Sequence, residues 1–368
     1  MKRFKNILVV LDRESGNEAL IERAVTLSQR NQARLTVVTV AEEMSLDIPT
    51  HVAAESGGVV KPAIDIIETL PPDIPAPITS DPSDVPGPIS ETQEALSSET
   101  GIPPTCKSSI VIQEQINKAE DLQLEQVIAP IRQLGVQVSS KVLHGTQFIE
   151  IIREVLRNGH DLVMIAAEDY RGLRNMLFGR TTMHLMRKCP CPVWVMKPDQ
   201  PKQRSHILAA VDPTPSDEER NALNIKIMDL ATSLAHRERC KLLIIHTWTF
   251  SLESHVRSGR VRVSKSVMDE WSRGVRDAHK YSLEELLRLY DLKNLKHQVY
   301  MLKGEADRLI PKLVEAKEVE LIVMGTVVRT GIDGLFIGST AAKVLRQVDC
   351  SVLTVKPDGF KTPVKLDA

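Results

Sequence analysis

Long apolar runs are missing from this chain of 368 residues. Its basic start, Met1 to Asn6, is followed by a short apolar run, Ile7 to Leu11, which ends at Asp12. That run is too short for the apolar region of a signal peptide and far too short to cross a bilayer. We therefore expect a soluble, cytoplasmic protein that has no membrane partner.

An excess of basic residues is missing too. The chain has 47 Lys and Arg against 48 Asp and Glu, which gives a formal net charge of -1. We expect no sequence-specific nucleic-acid partner, because such proteins present a basic surface. The cysteines number five and show no CxxC spacing, which indicates a reduced compartment. Cys189 and Cys191 alone would make an incomplete metal site, so we expect structural thiols and no metal.

The patterns of familiar catalytic sites are absent from the sequence as well. It contains no H-E-x-x-H motif, no Walker A lysine, and no arrangement that suggests a Ser-His-Asp triad or a pair of catalytic acids. We therefore expect a protein that is not an enzyme.

What the sequence does contain is an internal repeat. The strand-like segments Asn6–Asp12 and His206–Asp212 both end in aspartate, and later in each copy the repeat holds without a gap at a spacing of 159 residues. The matched residues are Gly145 and Gly304, Gly172 and Gly331, Gly179 and Gly338, Cys191 and Cys350, and Lys197-Pro198-Asp199 and Lys356-Pro357-Asp358. We place the first domain at residues 1–200 and the second at residues 201–368.

The first copy carries extra residues over about 47–105, a stretch rich in Pro, Ser, Asp and Glu. Dense proline prevents a continuous helix or central strand, and few apolar residues remain to be buried. We predict an extended or disordered insertion between the second strand and the following helix. A proline-rich docking peptide for a partner is the alternative. The helix after the insertion is predicted from Ser108 up to Pro130.

Each half alternates strands and helices in the order β-α-β-α-β-α-β-α-β. This alternation predicts an α/β fold, with a five-stranded parallel sheet, helices on both faces and right-handed crossovers. A doubly wound strand order of 3-2-1-4-5 would place a ligand at the carboxyl ends of the first and fourth strands. In the second half those ends are Asp212 and Met324-Gly325.

A glycine-rich loop follows Met324 and leads to a helix that opens near Gly338. Glycines allow the backbone to approach an anion closely, and the start of a helix offers N–H groups and a positive dipole end. Ser339 and Thr340 would add hydroxyl donors, so the segment suits a phosphate. The alternative is a plain crossover in which Ser339 caps the helix.

Together these features resemble a known family. Both halves open with a strand that ends in Asp and close with C-x-V-[WL]-x-[MV]-K, and the second half adds G-x-x-x-R-T-G-x(6)-G-S. This set is similar to tandem universal stress protein domains. The resemblance covers both halves but not the proline-rich insertion. It implies two Rossmann-like domains of the adenine nucleotide alpha hydrolase-like type, which bind ATP or a related adenine nucleotide, with Mg²⁺ as a companion ion.

The resemblance also assigns roles to the glycine-rich loop. ATP-binding members of the family carry G-x2-G-x9-G-[ST], which Gly325, Gly338 and Ser339 match, with Thr340 next in sequence. The middle glycine is replaced by Val328, whose β-branched side chain resists positive φ and adds bulk near the phosphates.

Three further positions follow from the resemblance. Met324 would lie beside the nucleotide, and Thr247 would present its backbone to the adenine edge. Asp212 would accept hydrogen bonds from ribose hydroxyls. An aspartate at this place would equally suit a cap of the next helix.

The first half departs further from the family pattern. Ala166 stands where the second half has its first motif glycine, and Arg180 stands where the second half has its motif serine. Glu168 and Asp169 would place two carboxylates near the phosphates and repel them. We expect this half to bind no ATP in the family manner.

The leading functional hypothesis is thus a stress-response protein whose second domain binds an adenine nucleotide. The alternative is a non-nucleotide regulatory or scaffold protein, with an apolar ligand as one option, that contributes to stress survival, including resistance to DNA damage. Slow ATPase or autophosphorylation activity comes third. In the family the closing strand pairs two domains, so we expect Val193–Lys197 and Ser351–Lys356 to pair as an intramolecular pseudo-dimer. A homodimer is a further possibility.

Overall fold

The computed structural model describes residues 4–12, 17–41, 104–167, 178–197, 205–213, 217–257, 263–326 and 338–366. The strands form where β-branched and apolar residues run together, as in Asn6–Val10, where every residue is buried. In chain order the strands are β1 Asn6–Val10, β2 Arg34–Ala41, β3 Val138–His144, β4 Leu162–Ala166, β5 Val193–Met196, β6 His206–Ala210, β7 Lys241–Trp248, β8 His297–Lys303, β9 Leu321–Gly325 and β10 Ser351–Val355.

Helices alternate with these strands, as the sequence predicts. In chain order they are α1 Asn17–Asn31, α2 Pro104–Gln133, α3 Gln147–Asn158, α4 Arg180–Lys188, α5 Glu218–Glu238, α6 Ser251–Arg257, α7 Lys265–Arg288, α8 Ala306–Ala316 and α9 Ser339–Leu345. The short helix α6 was not predicted from the sequence.

One ten-stranded sheet holds all of these strands, in the order β3-β2-β1-β4-β5-β10-β9-β6-β7-β8. Within each half the order is therefore 3-2-1-4-5, and the strands of each half run parallel. The predicted α/β fold class is confirmed.

The two halves meet at their closing strands. β5 and β10 pair antiparallel, with Val193 opposite Thr354, Trp194 opposite Leu353 and Val195 opposite Val352. Each closing strand thereby covers the edge that the other would expose, and this contact between the halves matches the expectation from the sequence.

Apolar side chains pack on both faces of the sheet. Ile7 and Val9 belong to a cluster on one face, with residues of α1 and α5. Leu8 and Val10 belong to a cluster on the other face, with residues of α3 and α9. This split follows from the strand geometry, because successive side chains of a strand point to opposite faces.

The helix α2 corrects two boundaries predicted from the sequence. It starts at Pro104, so the predicted insertion of about 47–105 ends earlier, and it continues through Pro130 to Gln133. Proline is tolerated in the first turn of a helix, which explains the start. Ile128 and Ile131 are buried on either side of Pro130, so packing holds the helix together past the proline. The rest of the insertion lies outside the described residues.

All ten strands lie in one compact unit, formed by residues 1–43 and 113–368. β1–β5 precede residue 200 and β6–β10 follow it. The domain boundary at residue 200 remains a prediction.

Candidate functional site

The candidate site lies at the carboxyl ends of three neighbouring strands of the second half. β6 pairs with β7 on one side and with β9 on the other, with Ala210 opposite both Ile245 and Met324. Asp212 follows two residues after Ala210, and Thr247 follows two residues after Ile245. The fold therefore brings together the ends of strands that are far apart in the sequence, at the point where the strand order reverses direction.

Asp212 is held at this edge by its backbone, while its carboxylate faces outward. Its backbone N–H donates to Oδ1 of Asn224 on α5, at 2.8 Å. Its side chain is 58% exposed and lies 2.9 Å from Nη1 of Arg220. The helix α5 is capped by Asp217, which accepts from the backbone N–H of Arg220. The alternative role for Asp212, a helix cap, is therefore wrong.

The backbone of Thr247 lies beside the end of β6. Pairing between β6 and β7 stops at Ala210 and Ile245, apart from one further bond from the Val211 N–H to the Ile245 carbonyl. The carbonyl of Trp248 accepts instead from Gly304, on the β8 side. Since the hydrogen-bonding groups of a parallel strand alternate between its two neighbours, those of Thr247 point to the β6 side, where β6 has already ended. A hydrogen-bonding edge suited to a planar base thus lies next to Asp212.

A buried histidine, His246, lies beneath this edge and contacts the half-buried His279. Nδ1 of His246 is 3.2 Å from the Val211 carbonyl, and Nε2 of His246 is 2.9 Å from Nδ1 of His279. A carbonyl only accepts, so Nδ1 of His246 carries its proton and Nε2 accepts from His279. The ring of Trp248 lies 6.2 Å from that of His279. Burial lowers the pKa of His246, while the charge of Asp212 and the Val211 carbonyl act to raise it.

Sequence reasoning missed His279 and Arg220. His279 is on α7, 33 residues after His246, and no motif links the two positions. Arg220 lies in the first turn of α5, where the sequence predicted only a helix. Neither side chain had a sequence signal that could have placed it at the site.

Met324 and Gly325 close β9 at the floor of the site. Met324 is buried in the apolar cluster on one face of the sheet, and its place beside a nucleotide stays a prediction. A Cβ at Gly325 would meet Cδ2 of Leu223 at 2.7 Å, so glycine allows α5 to approach the end of the strand closely. Gly325 thus has a packing role in addition to the role that the family motif implies.

Gly338, Ser339 and Thr340 form the opposite wall, at the start of α9. Gly338 occupies the cap position, and its N–H donates to the Thr326 carbonyl at 3.1 Å. Ser339 is the first residue of the helix and is exposed, as is Thr340. Ser339 therefore does not cap the helix, and that alternative is wrong. The first N–H groups of a helix lack acceptors within the helix, so this wall can donate to an anion. Val328 lies outside the described residues.

The corresponding place in the first half has a similar backbone and different side chains. Gly179 caps α4 with φ -58 and ψ 169, close to the φ -51 and ψ 136 of Gly338. Arg180, the first residue of α4, is exposed where Ser339 stands in the second half. Glu168 and Asp169 lie outside the described residues.

Lys356 is a third residue whose place near the site sequence reasoning missed. Its Nζ donates to the Met186 carbonyl at 2.7 Å and to Oγ1 of Thr326 at 2.5 Å. Thr326 follows β9, while Met186 belongs to α4 of the first half, so this side chain joins the two halves behind the site. Burial lowers the pKa of Lys356 to about 7, against the raising influence of Cys189.

The cysteine pair lies in the same region. Cys189 and Cys191 are both buried, with their sulfurs 3.5 Å apart in a thiol hydrogen bond and not joined as a disulfide. In the part of the chain that the structure describes, no group of three or more His, Cys, Asp or Glu is placed to hold a metal ion. None of the described helices is both long and apolar enough to cross a membrane.

Comparison with known proteins identifies relatives over the whole chain. The model of the universal stress protein family matches residues 3–58, 98–197 and 203–356. Universal stress protein E of Escherichia coli (strain K12) is 33% identical over 238 residues, which cover 63% of this chain and 72% of the relative. Universal stress protein E of Photorhabdus laumondii is 22% identical over 370 residues, which cover 99% of both chains.

A solved structure shows the same fold. A universal stress protein from Archaeoglobus fulgidus DSM 4304 aligns with a TM-score of 0.55 and 14% identity, covering 95% of this chain and 98% of its own. At this identity the likeness speaks for the fold alone.

Proposed function

Because the chain belongs to the universal stress protein family, we propose that it is a stress-response protein whose second half binds ATP or a related adenine nucleotide. The proposed site lies at the carboxyl ends of β6, β7 and β9. The observation that carries the proposal is that the open backbone edge at Thr247 lies next to the outward-facing carboxylate of Asp212. A base and a ribose need these two groups side by side.

Each wall of the site has a distinct part in the proposal. The backbone of Thr247 would hydrogen-bond the adenine edge, and Asp212 would accept from the ribose hydroxyls. The first N–H groups of α9 and the hydroxyls of Ser339 and Thr340 would donate to the phosphates. Mg²⁺, where present, would bind through the phosphate oxygens.

Arg220 sets the electrostatic balance of this site. Its ion pair with Asp212 compensates a carboxylate that would otherwise repel the nearby phosphates. Asp212 is largely exposed, so a ribose can reach it without breaking that pair. We propose that Arg220 holds the Asp212 carboxylate in position to receive the ribose.

We propose that the nucleotide acts as a bound signal and is not turned over, and that the protein works in the cytoplasm. The buried thiols of Cys189 and Cys191, which form no disulfide, fit a reducing compartment. We further propose that the first half takes no part in nucleotide binding, because Arg180 replaces the hydroxyl of Ser339 there.

Calorimetric titration of ATP with Mg²⁺ into matched variants tests the proposal. Gly338→Val should weaken ATP binding by roughly tenfold or more, because the valine side chain would keep the phosphates away from the N–H groups at the start of α9. The backbone of Gly338 has φ -51, which valine adopts without strain, so the melting temperature should hold. Restoring the motif glycine with Val328→Gly should strengthen binding.

Gly179→Val is the matched control, since Gly179 caps α4 with nearly the same backbone. ATP affinity should be unchanged in this variant. Loss of binding in Gly179→Val with retention in Gly338→Val would place the site in the other half. No heat from the wild-type protein at millimolar ATP would favour the non-nucleotide alternative.

A further inference from the structure

Thr326 joins the two ends of the glycine-rich loop in the second half. It comes directly after Gly325, the last residue of β9, and it is fully buried. The carbonyl of Thr326 accepts from the N–H of Gly338 at 3.1 Å. Gly338 precedes Ser339, the first residue of α9. This bond therefore links the end of β9 to the residues that are proposed to hold the phosphates.

The side chain of Thr326 is bonded to the other half of the protein. Its Oγ1 donates to the carbonyl of Met186, on α4, at 3.1 Å and accepts from Nζ of Lys356 at 2.5 Å. Nζ of Lys356 also donates to the Met186 carbonyl, at 2.7 Å. Thr326 and Lys356 are both buried, so the three groups form a closed set of hydrogen bonds away from solvent.

The carbonyl of Met186 can accept these bonds because of the residues that follow it. Within a helix this carbonyl would accept from the N–H four residues later. That residue is Pro190, which has no N–H, and α4 already ends at Lys188. The last carbonyls of a helix need acceptable donors from outside the helix, and here Thr326 and Lys356 of the second half supply them.

The corresponding place in the first half is built differently. At the repeat spacing of 159 residues, Thr326 corresponds to Ala167 and Lys356 corresponds to Lys197. Alanine has no hydroxyl, and Nζ of Lys197 pairs with Asp349 near the surface. The fold therefore does not require the threonine at this place. The closed set of hydrogen bonds belongs to the copy that carries the motif glycines and serine.

We propose that Thr326 is a positioning residue of the nucleotide site, and that the first half holds it in place through the carbonyl of Met186. This inference rests on the proposed function. The bond from Gly338 to the Thr326 carbonyl sets where α9 begins relative to β9, and so where Ser339 meets the phosphates. Supporting residues of this kind fix the groups that touch a ligand. The first half thus binds no nucleotide itself but helps the second half to bind the phosphates.

The base and the ribose depend on other contacts. Asp212 is held by Asn224 and Arg220, which both belong to α5. The backbone edge at Thr247 belongs to β7. Loss of the Thr326 hydroxyl should therefore weaken the contacts to the phosphates and leave those to the base and the ribose unchanged.

Calorimetric titration of the full chain with ATP and Mg²⁺, and separately with adenosine, which has no phosphate, tests this inference. Thr326→Val removes the hydroxyl and keeps the shape of the side chain, so ATP affinity should fall by roughly tenfold or more while adenosine affinity holds. Thr326→Ser keeps the hydroxyl and should bind ATP nearly as the wild type does. A general loss of folded protein would lower both affinities together, so the comparison of the two ligands separates positioning from stability.

Two more variants complete the test. Thr326→Ala installs the residue that the first half carries at this place, so it should fold and show the same selective loss of ATP affinity. Thr354→Val is the matched control. Thr354 is also a buried threonine, and its Oγ1 donates to a carbonyl of the first half, that of Val193, at 3.3 Å. It lies in the pairing of β10 with β5, so its replacement should leave ATP affinity unchanged.

The inference is overturned if Thr326→Val and Thr326→Ala bind ATP as the wild type does, or if they lose ATP and adenosine equally. It is also overturned if Thr354→Val shows the same selective loss. Equal affinities of the wild type for ATP and adenosine would overturn it as well, because the phosphates would then add nothing to binding. A wild type that binds neither ligand contradicts the proposed function, and this inference falls with it, whereas the other outcomes contradict this inference alone.

Discussion

Replacing Lys356 by methionine should change how the stability of the protein depends on pH. The side chain is 3% exposed, and its Nζ bonds two neutral oxygens, those of Met186 and Thr326. The ring of Phe360 lies 5.0 Å from Nζ. No carboxylate of the described residues is within ion-pair distance, so burial works against the charged form, and the opposing influence of Cys189 is the smaller of the two.

The sign of the effect follows from the two pKa values. Burial lowers the pKa of Lys356 in the folded protein to about 7, from 10.5 in the unfolded chain. Between these values the unfolded chain holds a proton that the folded protein lacks. The free energy of unfolding therefore rises with pH in this window, by up to about 1.4 kcal/mol per pH unit. The free-energy cost of burying the charged amine is present in full below the folded pKa of about 7. It decreases as the pH rises toward the unfolded pKa of 10.5.

The magnitude can be worked out for Lys356→Met. Between pH 7 and 9 the wild type should gain about 2 kcal/mol of stability that the variant does not gain. At neutral pH the variant loses two hydrogen bonds worth about 1 kcal/mol each, and it removes a larger cost of keeping the amine buried. We expect it to be more stable than the wild type by about 1–3 kcal/mol at neutral pH, and to lose this advantage as the pH rises.

Urea unfolding midpoints of both proteins, measured from neutral to alkaline pH, test this prediction. Lys197→Met is the matched control at the same position of the repeat. The Nζ of Lys197 pairs with Asp349 at 2.6 Å near the surface, so its removal should leave the alkaline slope unchanged. Parallel curves for the wild type and Lys356→Met would refute the reasoning, because they would mean that the buried amine keeps its proton.

Two further substitutions test the packing. Trp194→Ala should destabilise the protein by about 3–5 kcal/mol in urea unfolding, because this fully buried side chain fills the seam between β5 and β10. As a control, Trp271→Ala should cost less than about 1 kcal/mol, because that side chain is 46% exposed. Similar costs for the two variants would contradict the packing role of Trp194 in the seam. Gly274→Ala should raise stability by about 0.5–1 kcal/mol, because Gly274 is inside α7 and a Cβ there meets no atom within 4 Å. A lower melting temperature in Gly274→Ala would show that the position has contacts beyond the described ones.

The repeat made most of the fold predictable. Strands such as β1 and β6 are apolar runs of the same length that end near an aspartate. The constant spacing of 159 residues later in each copy then matched the remaining strands and helices of the two halves. The prediction was wrong where local chemistry competes with packing. Pro130 suggested the end of α2, but burial of Ile128 and Ile131 continues the helix through it.

The candidate site was predictable only in part. Strand ends converge because of topology, so Asp212 and Met324 could be grouped from the sequence, whereas Thr247 was added by the family resemblance. His279 reaches the site from α7 with no spacing that signals it.

Identical residues can also diverge in environment. Lys197 and Lys356 occupy equivalent positions of the repeat, yet one pairs with Asp349 near the surface and the other is buried among neutral oxygens. Their difference comes from neighbours supplied by the other half, which the pattern of one copy does not contain.

A crystal structure determined in the presence of ATP and Mg²⁺ tests the central claim most directly. The account predicts nucleotide density in the second half, with the base against the backbone of Thr247, the ribose at Asp212 and the phosphates at Gly338 and Ser339. It predicts none at Gly179 in the first half. Nucleotide density at Gly179, or a second-half crevice that stays empty at saturating ATP, would contradict the account.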